Sequence, residues 1–251
     1  MMTNKLMLVA VAAMISYTAI AKEKVSIVIL TPTPTGSEGS KKFTDESEFI
    51  IDSKSNTVIY NNSNESDDWT IEASKLPFKE AKGKTFSLLF GAAKSFVMTP
   101  GASYGAIETP VGIDRAGGGA LGVLGGLGNG IDTNEGYQFG LNLSNLPENV
   151  TIQISKINIG MINPMETGIV VNRMNPEKSL TFGVKGTPGI QSVLPNNGDW
   201  LDVSSLELKI KGGQKLVDMM SFICTIGSNA IPNNVAPNYR IKAIELIISK
   251  L

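Results

Sequence analysis

The chain has 251 residues, of which 42% are hydrophobic and 18% charged, and its formal net charge is −1. It contains no histidine and a single cysteine, Cys224. These counts exclude Ser-His-Asp and Cys-His catalysis, His-ligated zinc, a thiolate zinc cage and an intramolecular disulfide. The balanced charge, without a cluster of basic residues, also argues against nucleic acid as a partner.

The first 21 residues have the layout of a secretory signal peptide. Lys5 supplies the positive charge, an apolar run follows over 6–17, and Ala19 and Ala21 occupy both positions of an A-x-A cleavage site. The apolar run is too short to span a bilayer, and no second such run follows it. We therefore expect a secreted protein, periplasmic or extracellular, with no membrane span in the mature chain. The lone cysteine favours a bacterial origin, because secreted eukaryotic domains more often use several.

Short runs with a period of two residues follow in chain order. A first strand is predicted at Val25–Leu30, and residues 31–56, rich in Thr, Pro, Ser and acidic residues, are predicted to be mainly loop. Strict alternation then marks Tyr137–Leu143, Leu180–Val184 and Leu206–Ile210. Each of these patterns predicts a strand with one face in a core and the other in water.

Two longer apolar runs change phase midway. The residues Val150, Ile152 and Ile154 share one parity, and after Ser155-Lys156 the apolar side chains take the other. The segment 239–248 shifts in the same way. A β-bulge or a sharp bend would keep both halves of each run facing the core, whereas the alternative is two short strands joined by a turn.

Many short strands separated by turns, with almost no helical periodicity, predict an all-β fold. We expect an antiparallel β-sandwich, jelly-roll-like, that occupies residues 22–251 as a single domain. The glycine-rich segment 117–130 is interpreted as a loop inside that domain. Its match to the dinucleotide fingerprint is rejected, because no helix follows the glycines to hold a pyrophosphate.

A polar cluster after the glycine-rich segment is a candidate calcium site. Calcium prefers six to eight oxygen ligands from Asp, Asn and Glu side chains and from carbonyls. Asn129, Asp132, Asn134 and Glu135 lie close enough in the sequence to supply several of them. The alternative is a turn in which these side chains bond the local backbone.

Two tryptophans are candidates for ligand stacking. Trp69 and Trp200 each follow an aspartate near the edge of a predicted loop. An exposed indole can stack on a sugar ring, whereas the alternative is that both rings are buried in the core.

One stretch resembles a known group of domains. Ala120–Val123 followed by Gly130–Phe139 is similar to the "GLGV … ID-x-x-E-x-(apolar)-x-F" stretch of exported bacterial proteins that carry PEP-CTERM-type sorting tails. The resemblance implies a secreted β-sandwich and no particular activity. The Pro-Glu-Pro motif, apolar span and basic tail of those proteins do not occur in the sequence.

Export, the strand pattern and the lack of a catalytic constellation favour a non-catalytic binding or adhesion module. Its expected partner is an extracellular polysaccharide or a surface protein, with calcium as a structural ion. One alternative is a carbohydrate-active enzyme that uses carboxylates only. Such an enzyme needs two acidic groups, and the pairs Glu46 with Glu48 and Asp67 with Asp68 fall in polar segments. The other alternative is a structural or self-assembling cell-surface protein.

Overall fold

A computed structural model describes twelve stretches of the chain. They are residues 24–30, 47–61, 70–73, 75–76, 78–94, 109–111, 113–114, 122–123, 135–195, 198–214, 222–228 and 239–250. Within them the chain is built from β-strands, apart from a 3₁₀ turn at Ser204–Leu206, and no helix in this part is long and apolar enough to cross a membrane. The expectation of an all-β fold is confirmed.

The strands of the first half are short, except for β5. Their bounds are β1 Lys24–Leu30, β2 Ser47–Ile51, β3 Val58–Tyr60, β4 Thr70–Ala73, β5 Thr85–Lys94, β6 Thr109–Val111, β7 Ile113–Asp114 and β8 Gly122–Val123. The second half contains the two longest strands, β10 and β17. Its strands are β9 Glu135–Asn142, β10 Val150–Gly160, β11 Thr167–Asn172, β12 Ser179–Val184, β13 Ser192–Leu194, β14 Trp200–Asp202, β15 Lys209–Lys211, β16 Phe222–Ser228 and β17 Arg240–Lys250.

These strands form two main sheets. The front sheet, as we name it, has the order β14-β10-β17-β1-β4, with β15 also paired to β10. The back sheet has the order β13-β12-β11-β16-β9-β5-β2-β3, with β6 also paired to β5. Neighbours are antiparallel throughout the described pairs except β12 and β13, which run parallel. Strands β7 and β8 form a separate ribbon.

Side chains from both sheets form one hydrophobic core. Ile152 and Leu246 of the front sheet and Phe139 of the back sheet are all 0% exposed and belong to the same cluster. The ring of Phe182 in β12 meets that of Tyr239, just before β17, edge-on with centroids 5.3 Å apart. Burial on this scale supplies the main driving force for folding.

A buried polar contact also joins the two sheets. Asn172, at the end of β11, is 5% exposed, and its Nδ2 donates to the carbonyl oxygen of Leu206, 2.8 Å away in the 3₁₀ turn. Its Oδ1 accepts the backbone N–H of Met174 at 2.9 Å. Because both the oxygen and the nitrogen of this buried amide form hydrogen bonds, neither atom carries the free-energy cost of losing water without gaining a partner.

The two phase changes in the sequence are β-bulges within continuous strands. Pairing between β10 and β17 shifts by one residue between Ile154 and Lys156, so Ser155 is the extra residue of β10. It shifts back between Asn158 and Ile159, where Lys242 is the extra residue of β17. The expectation of bulges is confirmed, and the alternative of separate short strands is wrong.

One expectation about local structure is corrected and another gains detail. Within residues 31–56, predicted to be mainly loop, the described part contains β2, which directs Phe49 and Ile51 into the core. Residues 206–210 are not one strand. The backbone of Glu207 takes a left-handed conformation with φ of 53°, so only β15 remains extended, while Leu206 and Leu208 are still buried.

Candidate functional site

Most of the predicted calcium ligands lie outside the described residues. Asn129, Asp132 and Asn134 belong to that part of the chain, while Glu135 is the first residue of β9, where its backbone pairs with Lys94. Among the described residues, no group of three or more acidic or cysteine side chains is arranged to hold a metal. Calcium binding therefore stays a prediction.

Of the two tryptophans, Trp69 lies outside the described residues and Trp200 begins β14. In this edge strand Leu201 is 0% exposed and faces the core. Because side chains alternate along a strand, Trp200 and Asp202 face the other way, toward solvent. On this outer face of the front sheet, Trp200 is half-buried and Asp202 is exposed.

The loop before β14 is held against β10, and this contact fixes the backbone position of Trp200. Gly198 has a φ of 137°, and a Cβ at this position would overlap the carbonyl oxygen of Ile159. Ile159 in turn donates its backbone N–H to the carbonyl oxygen of Asp199 at 3.0 Å. A carboxylate oxygen of Asp199 accepts the backbone N–H of Trp200 at 2.7 Å. Only glycine permits so close an approach of the two backbones.

The pairing register places polar residues of three strands on the same outer face as Trp200. Trp200 pairs with Asn158 of β10, and Asp202 pairs with Lys156. On the other side of β10, Lys156 pairs with Glu245 of β17. We name these five residues, Trp200, Asp202, Asn158, Lys156 and Glu245, the Trp200 face.

The two bulges bracket this face. The three β10 residues between them, 156–158, are the same three that pair with β14. Bulges increase local twist, re-aim side chains and are enriched next to functional sites. The Trp200 face is thus a short segment of sheet whose register differs by one residue from that on either side.

Hydrogen bonds and an ion pair hold the carboxylates of the face. The Ser155 hydroxyl, buried at the bulge, donates to Oε1 of Glu245 at 2.7 Å, and the Nζ of Lys156 lies 3.4 Å from Oε2. Asp202 Oδ1 accepts the hydroxyl of Ser204 at 2.6 Å and its backbone N–H at 2.9 Å. These bonds from Ser204, together with the charge of Lys156, lower the pKa of Asp202.

In the Trp200 face, the carboxyl pKa that is clearly shifted is that of Asp202, and it is lowered. A glycosidase needs one carboxyl group that stays protonated near neutral pH, which requires a raised pKa. Where a carboxyl pKa is clearly shifted in the described residues, the shift is downward. The groups concerned are Asp52, Glu80, Asp202 and Glu207. An indole beside an amide, an ammonium group and fixed carboxylates offers instead a stacking surface flanked by hydrogen-bonding groups.

Of the five residues of the Trp200 face, the sequence singled out only Trp200. Lys156, Asn158 and Glu245 have no motif around them, and each lies at least 40 residues from Trp200 along the chain. One signal pointed to them, the change of phase at Ser155-Lys156, because bulges accompany functional sites more often than regular strands do.

The chain was compared with models of protein families, with curated proteins and with solved structures, and none of the three comparisons found a match. The function proposed below therefore rests on the geometry of the site.

Proposed function

We propose that the protein is an exported, non-catalytic carbohydrate-binding module with an antiparallel, jelly-roll-like β-sandwich fold, and that the Trp200 face is its binding surface. The observation that carries the proposal is a half-buried tryptophan on the outer face of the front sheet, whose backbone is held in place by Gly198 and Asp199. Because the backbone is already held and an indole has only two rotatable bonds, little conformational entropy is lost when a ligand stacks on the ring.

The polar neighbours support the same proposal. Asn158 and Lys156 line the strand beside the indole, and Asp202 and Glu245 present carboxylates already oriented by serine hydroxyls. Sugar hydroxyls both donate and accept hydrogen bonds, so a mixed set of amide, ammonium and carboxylate groups matches them. Such groups fix the orientation of a ligand that stacking alone would leave free to slide.

The first test is retention on insoluble polysaccharides. The purified chain, without its predicted signal peptide, is incubated with a panel of polymers, and both retained protein and released reducing sugar are measured. We expect retention without release, loss of retention in Trp200→Ala and recovery of most of it in Trp200→Phe, which keeps an aromatic ring. Met174→Ala is the matched control, because Met174 is 60% exposed and lies in the hairpin between β11 and β12.

Three results would contradict the proposal. Sugar release that depends on the carboxylates would indicate an enzyme, and retention unaffected by Trp200→Ala would place the binding surface elsewhere. Failure to retain the protein on any polymer, with concentration-dependent oligomers instead, would favour a structural or self-assembling role.

Calcium enters the proposal as a structural ion held by Asn129, Asp132, Asn134 and Glu135. If it binds there, calcium raises the melting temperature of the wild type and chelator reverses the rise. The variant Asp132→Ala should abolish the rise. A rise of unchanged size in the variant would remove this segment as the calcium site.

A further inference from the structure

The Trp200 face continues along the same edge of the front sheet. Strands β14 and β15 both pair with β10 on one side, β14 with residues 156–158 and β15 with residues 151–153. In β15, Ile210 is 1% exposed and faces the core, so Lys209 and Lys211 face outward with Trp200 and Asp202. One outer strip thus runs from Trp200 to Lys211.

The far end of this strip carries positive charge and uncharged hydrogen-bonding groups. Lys209 pairs with Gln153, and Lys211 pairs with Thr151. The hydroxyl of Thr151 lies 2.7 Å from that of Ser249 in β17. Within the described part of the chain, neither lysine Nζ has a carboxylate within ion-pairing distance. The nearby carboxylate of Glu207 is paired with Lys178 at 2.8 Å, and its pKa is lowered mainly by Lys178 and to a smaller extent by the charge of Lys209.

The charges along the strip therefore differ in their availability to a ligand. At the Trp200 end the carboxylates of Asp202 and Glu245 accept bonds from Ser204, Ser155 and Lys156. At the other end, Lys209 and Lys211 extend into solvent on the same face. A ligand that covers the whole strip gains favourable charge contacts only if it is anionic at the lysine end.

The dimensions of the strip fit a linear polymer. Successive outward side chains of a strand lie about 6.6 Å apart, so Lys209 and Lys211 can each meet a charge on adjoining units of a chain. Seven residue steps along β10, one of them taken up by the bulge at Ser155, separate the partners of Lys211 and Trp200, which corresponds to about 20 Å. That distance spans several sugar rings.

We propose that the ligand is an acidic polysaccharide, a linear polyuronate, which stacks one ring on Trp200 and places the carboxylates of two neighbouring units, several rings further along the polymer, against Lys209 and Lys211. This inference rests on the proposed carbohydrate-binding function and names its substrate class. A polyuronate carries a carboxylate on each unit. A carboxylate can therefore reach Lys209 and Lys211 whichever unit of the polymer stacks on the indole of Trp200.

The test compares one polymer with and without its charge. Binding of the chain to polygalacturonate and to the same polymer after methyl esterification is measured by isothermal titration calorimetry. Chelator is present to prevent calcium cross-linking, and the temperature is kept well below the melting temperature of the chelated chain. The charge-removing variant is Lys209→Gln/Lys211→Gln. The matched control is Lys54→Gln/Lys185→Gln, which makes the same change at two exposed lysines of the back sheet's turns.

We expect the wild type to bind the unesterified polymer about tenfold more tightly than the ester at low ionic strength, since each exposed ion pair contributes modestly. The Lys209→Gln/Lys211→Gln variant should lose this difference and the control should keep it. Added salt should reduce binding of the acidic polymer and leave binding of the ester nearly unchanged.

Failure of this inference can be told from failure of the proposed function. Equal affinity for the two polymers, still lost in Trp200→Ala, would overturn the acidic ligand and leave carbohydrate binding in place. Tighter, lysine-dependent binding of dextran sulfate than of polygalacturonate would overturn the choice of a carboxylate. Absence of binding to all of these polymers and to the neutral panel would remove both proposals.

Discussion

Replacing Gly168 by alanine should strain the contact that closes one end of the core. Gly168 in β11 pairs directly with Phe182 in β12. An added Cβ would overlap Cζ of the Phe182 ring and lie 2.5 Å from Cε1 and 2.8 Å from Cε2. The ring is 0% exposed, and the edge-on contact with Tyr239 leaves it little room to move away.

The expected cost follows from these distances. Overpacking of a well-packed core by one methyl group costs about 1–3 kcal/mol. Alanine in place of glycine in a strand returns about 0.5–1 kcal/mol through the lower entropy of the unfolded chain. The net loss of stability for Gly168→Ala should therefore be about 1–2 kcal/mol, which for a chain of this size lowers the melting temperature by about 2–8 °C.

A double-mutant cycle isolates the cause. Urea unfolding followed by circular dichroism is measured for the wild type, Gly168→Ala, Phe182→Leu and the double variant. Because leucine lacks the ring atoms that the new Cβ would meet, Gly168→Ala should cost much less in the Phe182→Leu background, with a coupling of about 1 kcal/mol. Equal costs in both backgrounds, or a neutral Gly168→Ala, would refute the reasoning.

Three further predictions concern polar groups. Ser155→Ala removes the hydroxyl that bonds Glu245 at the bulge and should cost about 1–2 kcal/mol in urea unfolding, so an unchanged midpoint would contradict that role. Asn172→Ala leaves the buried carbonyl of Leu206 without its donor and should cost about 2 kcal/mol, whereas a loss below half of that would mean water replaces the amide. The folded state lowers the pKa of Asp202 from 3.8, so its stabilising effect is present above that pH and is lost as the pH falls below it. In thermal melts from pH 6 to about 2.5, Asp202→Asn should therefore show a shallower acid decline than the wild type, and parallel declines would exclude this carboxylate as a contributor.

Alternation along the chain predicted which faces of the strands are buried, but not which strands are neighbours. Val150, Ile152 and Ile154, and then Ile157 and Ile159, are all buried, as their spacing indicated. The spacing reflects only the local requirement that apolar side chains reach a core. Sheet order depends on contacts between segments far apart in the chain, which no local pattern records.

One wrong prediction, the strand at 206–210, and one strand that was not predicted, β2, have physical causes. Leu206 and Leu208 keep their burial although Glu207 leaves the extended conformation, because a 3₁₀ turn and a strand can bury alternate residues equally well. In β2, polar neighbours concealed a strand whose Phe49 and Ile51 are held by packing in the core. Tertiary contacts outweigh local composition in such short segments.

Local sequence patterns also predicted only part of the candidate site. Trp200 could be selected from the sequence because its side chain is rare and suited to stacking. Lys156, Asp202 and Glu245 join it only through the register of β14, β10 and β17. Charged residues are common on strand surfaces, so nothing about them individually indicates a site.

The paired bulges have a consequence for how this protein could diverge. Since β10 and β17 each carry one extra residue, the two strands regain their original register and end level with each other. A lineage that lost Ser155 alone would leave one strand a residue short, an offset of about 3.3 Å at the following loop. Loss of Lys242 at the same time would restore the match. Distant relatives should therefore gain or lose these two positions together. In an alignment, paired single-residue gaps at the two positions would indicate common descent even where overall sequence similarity is too low to do so.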